Sequence, residues 1–542
     1  MFPALRGPLY PMISFVSFVS FTALVGLLSW WFTRREDHGD ANNYFLAGKS
    51  LPWYVVAGSL MLTNLSTEQL IGLNGSAYLS GTVVMAFEVV AAVGLVVMAL
   101  YFLPRYWHNG IATVPQFLER RFDAQTRQIL SGMFLVFLVL NFLPFVLYSG
   151  ALGMNGLFNV KAILGVSEAA SIWIMVWLIG TVGAIYAIWG GLKAVAVSDT
   201  INGVGLLVGG MAIPILGLLA LGEGSLWTGV DVILTSQADK ISPIGAEDSA
   251  IPFGTLFTGC LLLNVYYWCT NQTIVQRTFG AKSLAEGQKG VLTTAFLKLL
   301  GPLYLVLPGI IALEMFGPSL GNGDSAYPRL VAEVLPPYLT GIFGAVMFGA
   351  ILSSFNSGLH SCSTLFGLDI YQGLINPHAD GRRVVVVGKM FGLGLAVFAM
   401  CLAPVIANAP DGLFILMKKL AAIFNVPILA VIMMAMTTKS VPAYAAKISM
   451  FMGMASYCIF TWGLGETLFG FKIHWLHFVF VNFAFLCAFM LFMGKLSPAG
   501  KTAQFAQNLV GGSSEWKPVR WVSAVVIAAT VGIYVALDVL GS

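Results

Sequence analysis

Charge is the scarcest commodity in this sequence. Of its 542 residues only 10% are Asp, Glu, Lys or Arg, whereas 58% are hydrophobic; soluble domains carry about 25% charged residues. A chain this poor in charge cannot cover a water-exposed surface. That excludes a soluble enzyme or binding domain, makes a nucleic-acid partner unexpected, and leaves a polytopic membrane protein. Cysteine is scarce too. The six, at positions 260, 269, 362, 401, 458 and 487, all lie in apolar runs without paired spacing, so they read as small buried side chains rather than a disulfide or metal framework. A nucleotide-binding loop, a metal cluster and a nucleophile constellation are all missing from the motifs, so no enzyme is expected. The first apolar run, near 12–33, is about 20 residues long and has no A-x-A site. It reads as a true first span rather than a cleaved signal.

Long apolar runs and glycine are plentiful. The 59 glycines suit helices that approach closely within a bilayer. A span needs about 20 apolar residues, which places fourteen helices near 10–33, 52–79, 82–107, 127–154, 168–189, 194–221, 251–275, 287–315, 336–372, 384–406, 411–437, 443–463, 473–494 and 519–540. With the N-terminus outside, about twenty of the 28 basic residues fall on cytoplasmic loops and about five outside, as the positive-inside rule requires. The basic residues left inside helices are Lys298, Lys418 and Lys419, and the acidic ones include Glu68, Glu88 and Asp199. Intramembrane charges cost about 2.5–3.5 kcal/mol each, which makes each a functional candidate.

Polar residues cluster in three of the spans. The stretch SLMLTNLSTEQLIG, residues 59–72, either hydrogen-bonds neighbouring helices or interrupts its own helix. Interruption turns the freed carbonyls toward a cavity, and the carboxylate of Glu68 with the amide of Gln69 favours it. Five spans later NVYYWCTNQ, residues 264–272, is polar and aromatic at the corresponding place. This suggests two five-helix repeats, each opening with a discontinuous helix. Third, SSFNS at 353–357 either permits close packing or supplies hydroxyl ligands to a hard cation such as Na⁺. His360 below it reads as a hydrogen-bonded histidine. Trp30, Trp31 and Trp107 fit interface belts, whereas Tyr266, Tyr267 and Trp268 adjoin the polar break and offer faces on which a sugar ring can stack.

Together YFLAGKSLPW (44–53), NLSTEQLIG (64–72), Glu88, YAIWGGLKAVAVSD (186–199), NVYYWCTNQTIVQRTFGAKS (264–283), FLKL (296–299) and LFGLDIY (365–371) give a chain that resembles the solute:sodium symporter family, in its bacterial sodium/sugar cotransporter branch. The resemblance implies an all-α membrane protein of LeuT-type fold: about fourteen helices forming one transporter domain over 1–542. Within it lie an extra N-terminal helix (10–33), inverted repeats at 52–221 and 251–437, and extra C-terminal helices (443–540). It implies a sodium site of the Leu62, Leu65 and Ala350 carbonyls with the Ser353 and Ser354 hydroxyls. Asp199, Asn356 and Ser357 mark a second ion site or release path. Sugar contacts carry over to Gln69, Glu88, Asn264 and Lys298. The inner gate is Tyr267 with Trp268 beside it, and the outer gate is Leu73, Phe87 and Phe414.

Two positions depart from the family pattern. A serine beside the sugar becomes Ala91, and a glutamine becomes Lys418, an ammonium that either meets an acidic sugar or snorkels to water. The expected activity is Na⁺-coupled import of a galactose- or glucose-like hexose by alternating access. The alternatives are an acidic sugar (uronic or sialic acid), or a non-sugar solute such as an amino acid or carboxylate. A sensor lacks room for a signalling domain, and a channel is opposed by the gating aromatics. The expected partners are sugar, Na⁺ and lipid, with no obligate protein partner, and the expected location is the plasma membrane. No role is legible for Glu68, Lys419 or His360.

Overall fold

The computed structural model describes residues 10–33, 41–320, 323–408, 413–468, 470–498 and 515–541. Its regular structure is helical except for a two-residue antiparallel hairpin, Thr467–Leu468 with Phe471–Lys472. Among the described residues, ten helical runs are long and apolar enough to cross a membrane, and eleven if the pair Leu284–Leu299 and Gly301–Phe316, bent by 52°, counts as one. The other expected spans are interrupted or short. The one near 52–79 ends its first helix, Trp53–Asn64, at mid-course. The one near 251–275 is split into Gly259–Cys269 and Gln272–Phe279. The last, Ala443–Cys458, has 16 residues before a wider turn, Ile459–Gly463. The first and last spans, Met12–Ser29 and Val519–Gly541, are mostly exposed, and Glu68–Asn109 is mostly buried. The molecule is therefore a central bundle with peripheral helices.

One helical stretch, Glu168–Leu221, stands where two spans were expected. The run nevertheless crosses twice, as Glu168–Ala187 and Leu192–Leu221. In a straight helix Gly183 and Asn202 would be roughly 28 Å apart. Here Gly183 lies against Leu352 and Phe355, Asn202 lies against Gly349, and those partners sit within two turns of one helix, Pro337–Thr364. The chain therefore reverses between the two spans.

Close approach decides how the central helices pack. Trp53–Asn64 lies against Glu168–Leu221 and Leu284–Leu299, and Pro337–Thr364 lies against Glu168–Leu221 and Tyr10–Thr33. At Gly58 any Cβ would come within 2.8 Å of the Thr200 Cα, so only glycine lets these two backbones meet. At one end of the bundle a single fully buried carboxylate, Asp369, accepts from Arg127 Nε (2.8 Å) and Nη2 (2.6 Å), Thr113 Oγ1 (3.0 Å) and Ser131 Oγ (3.0 Å). It clasps its own segment to two consecutive helices far earlier in the chain, Val114–Arg121 and Ala124–Phe137. All six cysteines are free. Cys260, Cys269 and Cys362 are buried as expected, but Cys458 and Cys487 are half-buried and Cys401 is exposed, because their helices turn one face outward from the bundle.

Candidate functional site

The break after Trp53–Asn64 follows from its sequence. Asn, Ser and Thr side chains compete with the helical ladder for backbone groups, and here the ladder gives way. Leu65 still donates to Met61 O (2.8 Å) but adopts φ −79°, ψ 84°. The Ser66 N–H, which would close on Leu62 O, meets Asn64 O instead (3.0 Å). Likewise the Gln69 N–H, which would close on Leu65 O, meets Ser66 O (3.0 Å). The carbonyls of Leu62 and Leu65 thus lose their helical donors.

Facing the break is Pro337–Thr364, which carries Ala350, Ser353, Ser354 and Ser357, all buried. Ser354 Oγ donates to Thr63 O (3.3 Å), Thr63 Oγ1 lies 3.2 Å from Ser357 Oγ, and Ser357 Oγ donates to Ser353 O (2.7 Å). Asp199 accepts from Ser59 Oγ (2.8 Å) and is within electrostatic reach of Arg277, which donates to Ser357 Oγ. Ser353 Oγ, Asp199 Oδ1 and both amide atoms of Asn356 are buried without a partner among the described residues. Freed carbonyls and serine hydroxyls are hard oxygen donors of the kind an alkali cation takes. No three His, Cys, Asp or Glu side chains converge as metal ligands among the described residues.

Beside this cluster lies a cavity of about 760 Å³, including its opening. The expected contacts Gln69, Glu88, Asn264, Lys298 and Lys418 all line it, with Ala91 and the expected gate residues Phe87, Tyr267 and Trp268. Glu88 and Lys298, each 1% exposed, form a direct ion pair. The Lys298 ammonium sits 5.8 Å from the Trp268 ring centroid. Tyr267 and Trp268 meet edge to face at 5.2 Å. Asn264 Nδ2 donates to Cys260 O (3.0 Å), one turn back, leaving its carbonyl oxygen for the cavity. Lys418 Nζ lies 5.9 Å from the Phe87 ring and 5.8 Å from that of Tyr267, so this ammonium faces the cavity rather than snorkelling to water.

Two expected gate residues are not seen on the cavity wall. Leu73 is fully buried and is not among the lining residues, and the side chain of Phe414 lies outside the described residues. Conversely, sequence reasoning missed Asn141, Asn425, Phe137 and Phe142, assigned Tyr266 only a stacking face, and gave Asn64 and Glu68 no cargo contact; all seven line the cavity. The signal for the two asparagines was a lone amide in an apolar span.

Gln69 Oε1, Asn64 Oδ1, Asn141 Oδ1, Asn425 Oδ1 and the Tyr266 hydroxyl are buried without partners among the described residues. Leaving each of them unmet costs about 1–3 kcal/mol, so the cavity calls for water or a cargo rich in hydrogen-bonding groups. Two of the unassigned residues lie elsewhere. Lys419 pairs with Glu466 (2.7 Å) beside the hairpin. The His360 ring stands 5.1 Å from that of Tyr44, and neither of its nitrogens has a partner among the described residues.

The sequence profile of the Sodium:solute symporter family matches residues 44–453. The "Uncharacterized symporter YidK" of Escherichia coli (strain K12) is 47% identical over 518 residues, spanning 96% of this chain and 90% of that protein. The sodium/glucose cotransporter of Vibrio parahaemolyticus is 32% identical over 431 residues, 75% of this chain and 77% of its own length. Among solved structures, a Na⁺-coupled sialic acid symporter in a substrate-bound outward-open state superimposes with a TM-score of 0.76 at 20% identity. The match covers 90% of this chain and 98% of that one, and it fixes the fold as that of the LeuT-like transporters. The chain is a multi-pass membrane transporter and belongs to the sodium:solute symporter family.

Proposed function

We propose that the protein is a sodium-coupled symporter that imports a neutral, galactose- or glucose-like hexose by alternating access. The observation that carries this reading is the juxtaposition of two sites. A cluster of freed carbonyls and serine hydroxyls at the helix break adjoins a cavity lined by unmet amides, a buried ion pair and aromatic faces. In this reading Na⁺ binds the carbonyls of Leu62, Leu65 and Ala350 and the hydroxyls of Ser353 and Ser354. Asp199, Asn356 and Ser357 form a second site or the release path. Gln69, Glu88, Asn264 and Lys298 hold the sugar hydroxyls over Trp268, and Tyr267 closes the inner side.

The architecture behind this reading is fourteen helices in one domain: an N-terminal helix at 10–33, inverted repeats at 52–221 and 251–437, and C-terminal helices at 443–540. The breaks at Leu65–Ser66 and Thr270–Asn271, one in the opening segment of each proposed repeat, support this reading. The N-terminus lies outside the plasma membrane, and no obligate protein partner is needed.

Ion binding pins the broken helix to Pro337–Thr364, sugar then closes the outer side, and the bundle rocks to release both inward. The driving force is sufficient. One Na⁺ crossing 100 mV supplies about 2.3 kcal/mol, and a tenfold sodium gradient about 1.4 kcal/mol more, enough to sustain a sugar gradient of roughly a few hundredfold.

An acidic sugar is the second reading, favoured by one observation, the Lys418 ammonium on the cavity wall. A thermal-shift screen of neutral hexoses, uronic acids and amino acids in Na⁺ and in K⁺ tests both. Stabilisation by galactose or glucose only in Na⁺ supports the first. Stabilisation by glucuronate alone replaces it with the second, and stabilisation by amino acids alone refutes both.

A further inference from the structure

Glu68 and Lys418 stand on the wall of the same cavity, carried by two separate elements. Glu68 opens the turn Glu68–Leu73, three residues after Leu65, whose carbonyl is freed by the helix break. Lys418 belongs to Leu413–Thr437, and the Glu68–Leu73 turn packs directly on that helix. The two charges lie within electrostatic reach of one another, and Ser66 Oγ donates to the Glu68 carboxylate, fixing it to the break itself. Glu88 and Lys298 are already joined in a direct ion pair. The four charges on the wall therefore fall into two opposed sets. A cargo with a net charge would upset that balance, whereas a neutral polyol leaves it intact.

We propose that Glu68 and Lys418 form a charge pair across the cavity that couples the broken helix to Leu413–Thr437, transmits sodium occupancy to that helix and keeps the cavity selective for uncharged polyols. The proposal rests on the reading that Na⁺ binds at the break. An ion on the Leu65 carbonyl orders the turn that begins at Glu68. The carboxylate is then held toward Lys418, and the helix bearing Lys418 is drawn over the cavity. Coupling is reciprocal, so weakening the pair must also weaken sodium binding, even without sugar. Lys418 is on this account a positioning residue and not a receptor for an anionic substrate.

The test is a Na⁺ titration of thermal stability on the purified full-length protein without sugar, with choline as the replacing cation. Glu68→Gln and Lys418→Gln should each raise the half-saturating Na⁺ concentration about fivefold or more, within the usual span of coupling effects. The Glu68→Gln/Lys418→Gln double variant, which removes both charges, should return to within about twofold of wild type. Lys418→Arg, which keeps the charge, should stay near wild type. If a single variant does not fold, the double variant still decides, since it must fold and titrate like wild type.

Singles that titrate like wild type, or a double variant whose loss equals or exceeds the sum of the singles, overturn the coupling. A Lys418→Gln variant that loses stabilisation by glucuronate while its Na⁺ titration is unchanged also overturns it, and makes Lys418 an anion receptor. A wild-type protein that Na⁺ does not stabilise at all overturns the sodium reading, and this inference with it; a wild type that responds while the variants fail the pattern overturns this inference alone.

Discussion

Replacing Glu88 by glutamine isolates the Lys298 ammonium in the middle of the bundle. Both partners are 1% exposed, and the pair joins Ala86–Val97 to Leu284–Leu299. The glutamine keeps the volume and a hydrogen-bonding oxygen but removes the compensating charge. Breaking one side of a buried pair costs about 3–5 kcal/mol. The loss has a ceiling, because at pH 7 a lysine of ordinary pKa, about 10.4, can shed its proton for about 5 kcal/mol. The Trp268 ring, 5.8 Å from the ammonium, is present in wild type and variant alike and does not offset the loss. The net cost is therefore about 3–5 kcal/mol. At about 2.1 cal/mol/K of melting entropy per residue, that lowers the unfolding midpoint of a chain of this length by about 3–4 °C. Glu88→Gln combined with Lys298→Met removes both charges and should recover most of that loss, while sugar-dependent stabilisation stays absent in both variants. Thermal unfolding in detergent, with and without Na⁺ and galactose, reads both effects. A midpoint for Glu88→Gln within about 1 °C of wild type, or a double variant as damaged as the single, would refute the compensation argument (the threshold is about a quarter to a third of the expected shift).

Other expectations follow from the same geometry. Ser353→Ala together with Ser354→Ala should abolish sodium-dependent stabilisation while leaving the apo midpoint within a few degrees, because one hydroxyl has no partner and the other makes a long bond of 3.3 Å. Gln69→Ala and Asn264→Ala should each weaken sugar binding about five- to thirtyfold, for a lost hydrogen bond of roughly 1–2 kcal/mol, measured as the sugar concentration that half-saturates the thermal shift. Asp369→Ala should cost about 3 kcal/mol, the lower end for a broken buried pair, since the half-buried Arg127 loses one of its two carboxylate partners, keeping Glu119, and two hydroxyls lose their acceptor, and should appear as a loss of folded protein on size-exclusion chromatography. Gly58→Val should destabilise more than Gly26→Val, because a Cβ at Gly58 meets the Thr200 backbone at 2.8 Å whereas Gly26 has nothing within 4 Å.

Much of this was legible in the sequence, because the bilayer makes polarity informative. Glu88, Asn264 and Lys298 stand out as polar residues in apolar runs, and all three reach one cavity. The interruption near Asn64–Gln69 was readable because Asn, Ser and Thr take three of the four positions 64–67, and the ladder does break there. The rest depended on rotation about helix axes, which hydropathy does not fix. Leu73 sits one turn from Gln69 yet points into packing. Asn141 and Asn425 look like isolated amides until tertiary packing brings their helices to the same wall. The single helical stretch Glu168–Leu221 conceals a reversal that contacts with Pro337–Thr364 reveal. Glu68 is the sharpest case. About 100° from Gln69 on a regular helix, it should face away from any cargo that Gln69 touches. The widened turn Glu68–Leu73 brings both to the cavity.

The central claim is that a sodium ion at the helix break and a sugar in the adjoining cavity move together. Its most direct test is uptake of radiolabelled galactose and glucose into proteoliposomes under an imposed inward Na⁺ gradient, with K⁺ replacing Na⁺ as the control. The account predicts transient accumulation above equilibrium in Na⁺, abolished by a sodium ionophore and by the Ser353→Ala/Ser354→Ala variant. Uptake that proceeds equally in K⁺, or that never exceeds equilibrium for any hexose in Na⁺, would contradict it.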